Sequence, residues 1–114
     1  MNQETLNQIA GILGNGYKCF VDIKTEEVYE VEQFTSELKS SIEYKEYVPL
    51  EGPEFFKIME SYCSQVEDFD HQSQLMETLL YDQPFQSFKR KVYDLRIADD
   101  WIAYRTKSIA DIIG

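Results

Sequence analysis

The sequence is poor in the groups that perform chemistry. One histidine, His71, and two cysteines, Cys19 and Cys63, are its whole supply of imidazole and thiol. A zinc site needs three or four nitrogen or sulfur ligands at close spacing, so none can be assembled locally. Cations are scarce as well: 11 Lys and Arg stand against 21 Asp and Glu, a net charge of −10. Attraction of a whole molecule to nucleic acid or to an anionic membrane rests on neutralising phosphates with cations, and this balance argues against both. No apolar run approaches the ~20 residues required to cross a bilayer. Met1-Asn2-Gln3-Glu4 carries no cationic leader, which speaks against a secretory signal. Both cysteines sit inside apolar patterns rather than in a spaced framework, so reduced, buried thiols in a cytoplasmic protein are expected. A length of 114 residues fits one domain, residues 1–114.

Aromatic side chains, by contrast, are abundant: eight Tyr, seven Phe and one Trp. They are set in patterns whose period changes along the chain. Leu6, Ile9, Ala10 and Leu13 fall at i, i+3, i+4 and i+7 and predict a short helix, stopped by Gly14-Asn15-Gly16. From Tyr17 the period is two, with Tyr17, Cys19, Val21 and Ile23 on one side and Lys18, Phe20 and Asp22 on the other. A polar turn, Lys24-Thr25-Glu26-Glu27, leads into a second strand over 28–32, making a β-hairpin. Residues 33–46 fit a short helix capped by Thr35 or Ser36, or equally a loop that tucks in Phe34, Leu38 and Ile42. Tyr47-Val48-Pro49-Leu50 reads as an edge strand, because Pro49 cannot donate to a ladder.

Beyond Gly52-Pro53 the pattern is helical throughout. Phe55, Ile58, Met59, Tyr62, Cys63 and Val66 form one stripe, and Asp70 caps a second helix carrying Leu75, Met76, Leu79 and Leu80. Pro84 opens a third helix whose buried face is Phe85, Phe88, Val92 and Leu95. Asp99 or Asp100 caps the last, with Trp101, Tyr104, Ala110, Ile112 and Ile113 as its apolar members. The fold class that follows is α+β: a small antiparallel sheet, an N-terminal hairpin plus a possible edge strand, packed with four to five helices, the C-terminal half being wholly helical.

Charge is unevenly spread. Residues 1–83 hold 5 basic and 17 acidic side chains, whereas residues 84–114 hold 6 and 4. Lys89, Arg90, Lys91 and Arg96 fall on one predicted helix and are the candidates for an anion or nucleic-acid contact. Set against this is a solvated cationic helix that pairs with the acidic sheet region of the same molecule. Tyr44, Tyr47, Tyr81 and Tyr93 lie off the main stripes or at segment ends. They are the interface candidates, since surface tyrosine offers large contact area for little entropy.

Other chemistry fails on spacing. A calcium loop starting at Asp68 would use Asp70, Gln72 and Gln74, but Ser73 stands where Gly is needed and Leu79 where a bidentate Glu is needed. Cys63 and His71 fall on different predicted helices, and a thiol on a buried stripe is inert. No Gly-rich phosphate loop opens a helix. No catalytic residue, metal or cofactor is assigned.

Pro84-Phe85-x-x-Phe88-Lys89, followed by Trp101-x-x-Tyr104-Arg105, resembles the bacterial uncharacterised protein family 0158. The Lys24-Thr25-Glu26 turn, Tyr47-Val48-Pro49-Leu50 and Phe56-x-x-Met59-Glu60 occur in the same order as in that family. The resemblance implies a small bacterial cytosolic protein and singles out Phe85, Phe88, Lys89, Trp101, Tyr104 and Arg105. A structural role is the reading adopted for these six, with aromatics of adjacent helices meeting in one cluster. The function expected is a non-enzymatic binding or regulatory module acting through protein contacts. Its partner is another protein or a second copy drawn head to tail by opposite charge. A phosphate- or nucleic-acid-contacting protein using residues 84–96 comes second, and an enzyme with a polar pocket near His71 third.

Overall fold

A computed structural model describes all 114 residues. Its elements, in chain order, are α1 (Gln3–Gly14), β1 (Cys19–Asp22), β2 (Val28–Glu30), α2 (Ser36–Ser41), β3 (Tyr44–Tyr47), α3 (Gly52–Gln65), α4 (Phe69–Thr78), α5 (Pro84–Asp94) and α6 (Ala98–Ile113). The architecture is α+β, with six helices and one three-stranded antiparallel sheet of order β2-β1-β3. The chain divides into two compact units, Met1–Leu50 with Thr106–Gly114, and Glu51–Arg105.

In the first unit, α1 opens on Asn2, whose side chain accepts from the Thr5 backbone N–H at 2.8 Å. It closes in a Schellman arrangement: Gly16 takes φ +90°, its N–H donates to the Leu13 carbonyl, and the Tyr17 N–H donates to Ile12. Ile9, Ala10 and Leu13 of α1, Cys19 and Val21 of β1, and Ile109 and Ala110 of α6 are buried. The hairpin turn is built on Asp22. Its carboxylate accepts from the backbone N–H of Lys24 and Thr25, and its carbonyl accepts from Glu26, which sits at φ +62°. Those two N–H donors hold the Asp22 carboxyl below the usual carboxylate range.

Several expectations are corrected here. Tyr17 and Ile23 do not share the buried face of Cys19 and Val21; both lie past the strand ends and are exposed. Residues 36–41 are a helix, capped by Thr35. The edge strand runs Tyr44–Tyr47 and stops before Pro49, pairing with β1 in the register Cys19↔Tyr47 and Val21↔Lys45. Tyr47 is only 8% exposed and belongs to the core, so it is not a surface tyrosine. The opposite face of the sheet carries Phe20, Tyr29 and Tyr44. Phe34 covers them, its ring stacked 4.2 Å from Phe20 with 11° between the planes.

In the second unit, α3 and α5 both begin at proline, where a missing N–H costs nothing. The cap of α4 is Asp68, not Asp70: its carboxylate accepts from the His71 N–H at 3.0 Å, leaving Asp70 in the first turn. Asp99 and Asp100 likewise lie inside the first turn of α6, where carboxylates favour the positive helix end, rather than at a cap. Leu75 and Thr78 are the buried residues of α4. Met76 and Leu80, expected in the core, are exposed, as is Ile112 in the first unit, where Ile109 takes the buried position instead. Arg96 is not on α5. That helix ends at Asp94 with Leu95 as its C-cap, and Arg96 follows at φ +60°, with the Ile97 N–H donating to Val92 and the Arg96 N–H to Tyr93. Lys89 and Arg96 therefore do not overlie each other on a helix face.

Candidate functional site

Of the family-motif aromatics, Phe88 and Trp101 form the centre of the second unit, whereas Phe85, expected on the buried face of α5, is 42% exposed and packs on Phe55 and Phe56. Phe88 and Trp101 are 1% and 4% exposed, and their ring centroids lie 4.8 Å apart at 72°. The expected cluster of two helices is in fact built on three. Tyr62 of α3 stands 5.2 Å from Trp101, 6.3 Å from Phe88 and 5.3 Å from Tyr104, and Phe55 meets Trp101 edge-on at 6.2 Å. The Tyr62 hydroxyl donates to Asp100 at 2.7 Å, and Ser61 bonds the Tyr104 hydroxyl. Burial, reinforced by Asp100, pushes the Tyr62 phenol well above its ordinary range. Arg105 is buried, and desolvation lowers its pKa. Tyr62 as hub is missed by sequence reading, because its partner Asp100 lies 38 residues away.

The outer surface of α4 and α5 is of another kind. With about 100° of rotation per residue, Phe69, Ser73, Met76 and Leu80 line one side of α4 and its short continuation, opposite Leu75 and Thr78. Phe69, Met76 and Leu80 are 79%, 53% and 85% exposed. The spacings of four, three and four are those of a coiled-coil seam. The signal is thus present in the sequence, but periodicity cannot tell an outward stripe from a buried one. Asp70 and Glu77 flank the stripe, and Glu77 accepts a hydrogen bond from the Tyr81 hydroxyl at 2.9 Å. On α5, Phe85, Lys89 and Tyr93 recur at i, i+4 and i+8 with Arg90 beside them, all exposed, Phe85 at 42% and Tyr93 at 57%.

Of the four candidate cations, Lys89 and Arg90 point outward. Lys91 is half-buried, with its ammonium 3.4 Å from the Gln74 side-chain oxygen, and Arg96 lies beyond the helix. They do not pair with acidic groups as the solvated-helix reading expected. The Met1 ammonium pairs with Glu26, and Lys18 pairs with Glu46. Tyr81 and Tyr93 are exposed, whereas Tyr44 is half-buried against Phe20 and Phe34.

A hollow of about 490 Å³ does lie beside His71, lined by Tyr62, Glu67, Asp68 and Asp100 among others. Asp68 is committed to capping α4, and Asp100 to Tyr62. Each of these bonds uses one carboxylate oxygen, Oδ1 of Asp68 and Oδ2 of Asp100. Cys19 and Cys63 are free thiols, both buried, and burial pushes each up to about 11. A thiol held in that form is a poor nucleophile. No three His, Cys, Asp or Glu side chains converge to hold a metal.

Fold and surface together define a small α+β protein with an aromatic core and an outward apolar stripe on one of its helices. Residues 12–113 match the Uncharacterised protein family (UPF0158), nearly the whole chain, and the protein belongs to that family. No match to the chain was found among curated proteins or among solved structures. No helix is long and apolar enough to cross a membrane.

Proposed function

We propose that this protein is a non-enzymatic, cytosolic binding module that acts through protein contacts made by the outer surface of α4. The observation that carries the reading is the stripe of Phe69, Met76 and Leu80. Three large apolar side chains in line, all more than half exposed, are lost burial for a monomer and usable burial for a complex. Tyr81, exposed and bonded to Glu77 beside the stripe, suits an interface rim. Affinity capture from native cytosol, run in parallel with wild type and Leu80→Glu, tests it. Proteins retained by wild type and lost with the variant are expected; identical sets from both would end the proposal.

A second reading is favoured by one observation, that Lys89 and Arg90 are exposed without ion-pair partners. On it, α5 contacts phosphate groups. Salt-sensitive binding to a duplex oligonucleotide, removed by Lys89→Gln with Arg90→Gln, is the result it requires.

A further inference from the structure

The stripe on α4 has one charged edge. Phe69, Ser73, Met76 and Leu80 are spaced as d, a, d and a of a heptad, so Asp70 and Glu77 both fall at the e position beside that seam. Both carboxylates are exposed, and the hydrogen bonds they accept come from neutral groups, the Gln74 amide to Asp70 at 2.9 Å and the Tyr81 hydroxyl to Glu77 at 2.9 Å. Around them, residues 66–83 hold Glu67, Asp68 and Asp82 as well, and no Lys or Arg. The neighbouring helices leave the seam open. Gln72 donates to the Cys63 carbonyl of α3, and Lys91 of α5 donates to the Gln74 side chain. At about 100° per residue the seam lies opposite Leu75 and Thr78, the side on which α4 is buried.

Resting on the protein-contact reading above, we infer that the occupant of this seam is a basic amphipathic helix of another protein. It carries an apolar seam of about three turns, the length of α4 from Phe69 to Leu80, with Lys or Arg at i and i+7 on the edge that meets Asp70 and Glu77. A helix surface offers no unpaired backbone groups to recruit a strand, whereas a seam of this spacing is met by the seam of a second helix. The area decides the size of the partner. At their observed exposures Phe69, Met76 and Leu80 present on the order of 400 Å², when a large side chain offers ~150–250 Å². That is about half of the ~800 Å² each partner gives to a stable complex, so it suits one helix laid along α4 rather than a folded domain. Charge decides its sign. An anionic bilayer takes an apolar helix face flanked by Lys and Arg, and Asp70 and Glu77 would be repelled by it. Against a cationic edge the same two carboxylates set register and exclude acidic helices.

Fluorescence anisotropy of two synthetic helical peptides with the full chain is the test. The peptides share a leucine seam and differ on one edge, with Lys at i and i+7 in one and Glu in the other. Wild type is expected to bind the Lys-edged peptide roughly tenfold or more tighter, a gap that narrows with added salt. Asp70→Lys with Glu77→Lys is expected to invert the preference, and the milder Asp70→Asn with Glu77→Gln to erase it. Glu54→Lys with Glu60→Lys makes the same change of net charge on α3 and is expected to leave the preference in place. Leu80→Ser, which removes apolar surface without adding charge, is expected to weaken the Lys-edged peptide roughly tenfold or more. Circular dichroism checks that these exposed substitutions leave the fold intact. The inference is overturned if wild type binds neither peptide or both equally. It is overturned as well if the α3 variant shifts the preference as far as the α4 variant, or if Leu80→Ser binds as wild type does. Should that happen while Leu80→Glu still loses proteins captured from cytosol, the stripe takes a partner of other chemistry and only the basic-helix assignment falls. If capture is also unchanged, both readings fall.

Discussion

Each unit carries an aromatic cluster, and the two do different jobs. In the second unit Tyr62, Phe88 and Trp101 are at most 4% exposed and are drawn from three helices, so they are the core. In the first unit Phe20, Tyr29, Phe34 and Tyr44 are only half-buried, and they cover the sheet face turned away from the core residues Cys19 and Val21. The same chemistry thus makes a centre in one place and a cover in the other. Composition predicts many ring contacts; only burial tells which of them the fold depends on.

The largest expected effect follows from that difference. Trp101→Ala should cost about 3–5 kcal/mol, because it opens a cavity among rings that cannot collapse. Phe34→Ala, whose ring is still in reach of water, should cost about 1–2 kcal/mol on area alone. Urea unfolding of the two variants measures both, and equal losses would erase the distinction between core and cover.

Tyr62→Phe sharpens it further. Removing a hydroxyl bonded to a carboxylate is expected to cost about 1–2 kcal/mol. The folded phenol is pushed up, so its contribution is intact below the ordinary tyrosine value of about 10 and is lost as the pH rises above it. The variant should therefore lose less stability than wild type between neutral and strongly alkaline pH.

Smaller effects separate the two helix ends that close alike. Gly16 and Arg96 occupy the same left-handed position after α1 and α5, one suited to it and one strained. Gly16→Ala should destabilise by about 1 kcal/mol and Arg96→Gly should stabilise by about 0.5–1 kcal/mol, read as opposite shifts in thermal midpoint. The smallest change concerns Asp22. Its folded carboxyl is held low, so its contribution is present above about pH 4 and fades as acid protonates it. Asp22→Asn should flatten the acid arm of the stability profile.

How much of this was legible depended on punctuation. α1 is closed by Gly, α3 and α5 are opened by Pro, and their apolar spacing is clean. The hairpin is likewise legible, because alternation changes period at Tyr17. The strand Tyr44–Tyr47 was read three residues late: an edge strand alternates charge with aromatics there, Lys45 and Glu46 keeping the edge polar. Periodicity places Arg96 on a helix, because nothing in an arginine announces a left-handed residue. Spacing alone assigns Met76 and Leu80 to the core, because α4 has two apolar sides and a stripe four, three and four apart fits either. Choosing between them requires knowing which side Leu75 and Thr78 fill, and that is a tertiary fact.

The three methionines offer the most direct test of that outer stripe. Met59 is buried at 1%, while Met1 and Met76 are about equally exposed, at 55% and 53%. In methyl NMR spectra recorded with and without added native cytosol, protein contact through α4 predicts that the Met76 resonance shifts or broadens on addition while Met59 and Met1 hold still. A Met76 signal that is as indifferent to that addition as Met1 would contradict it.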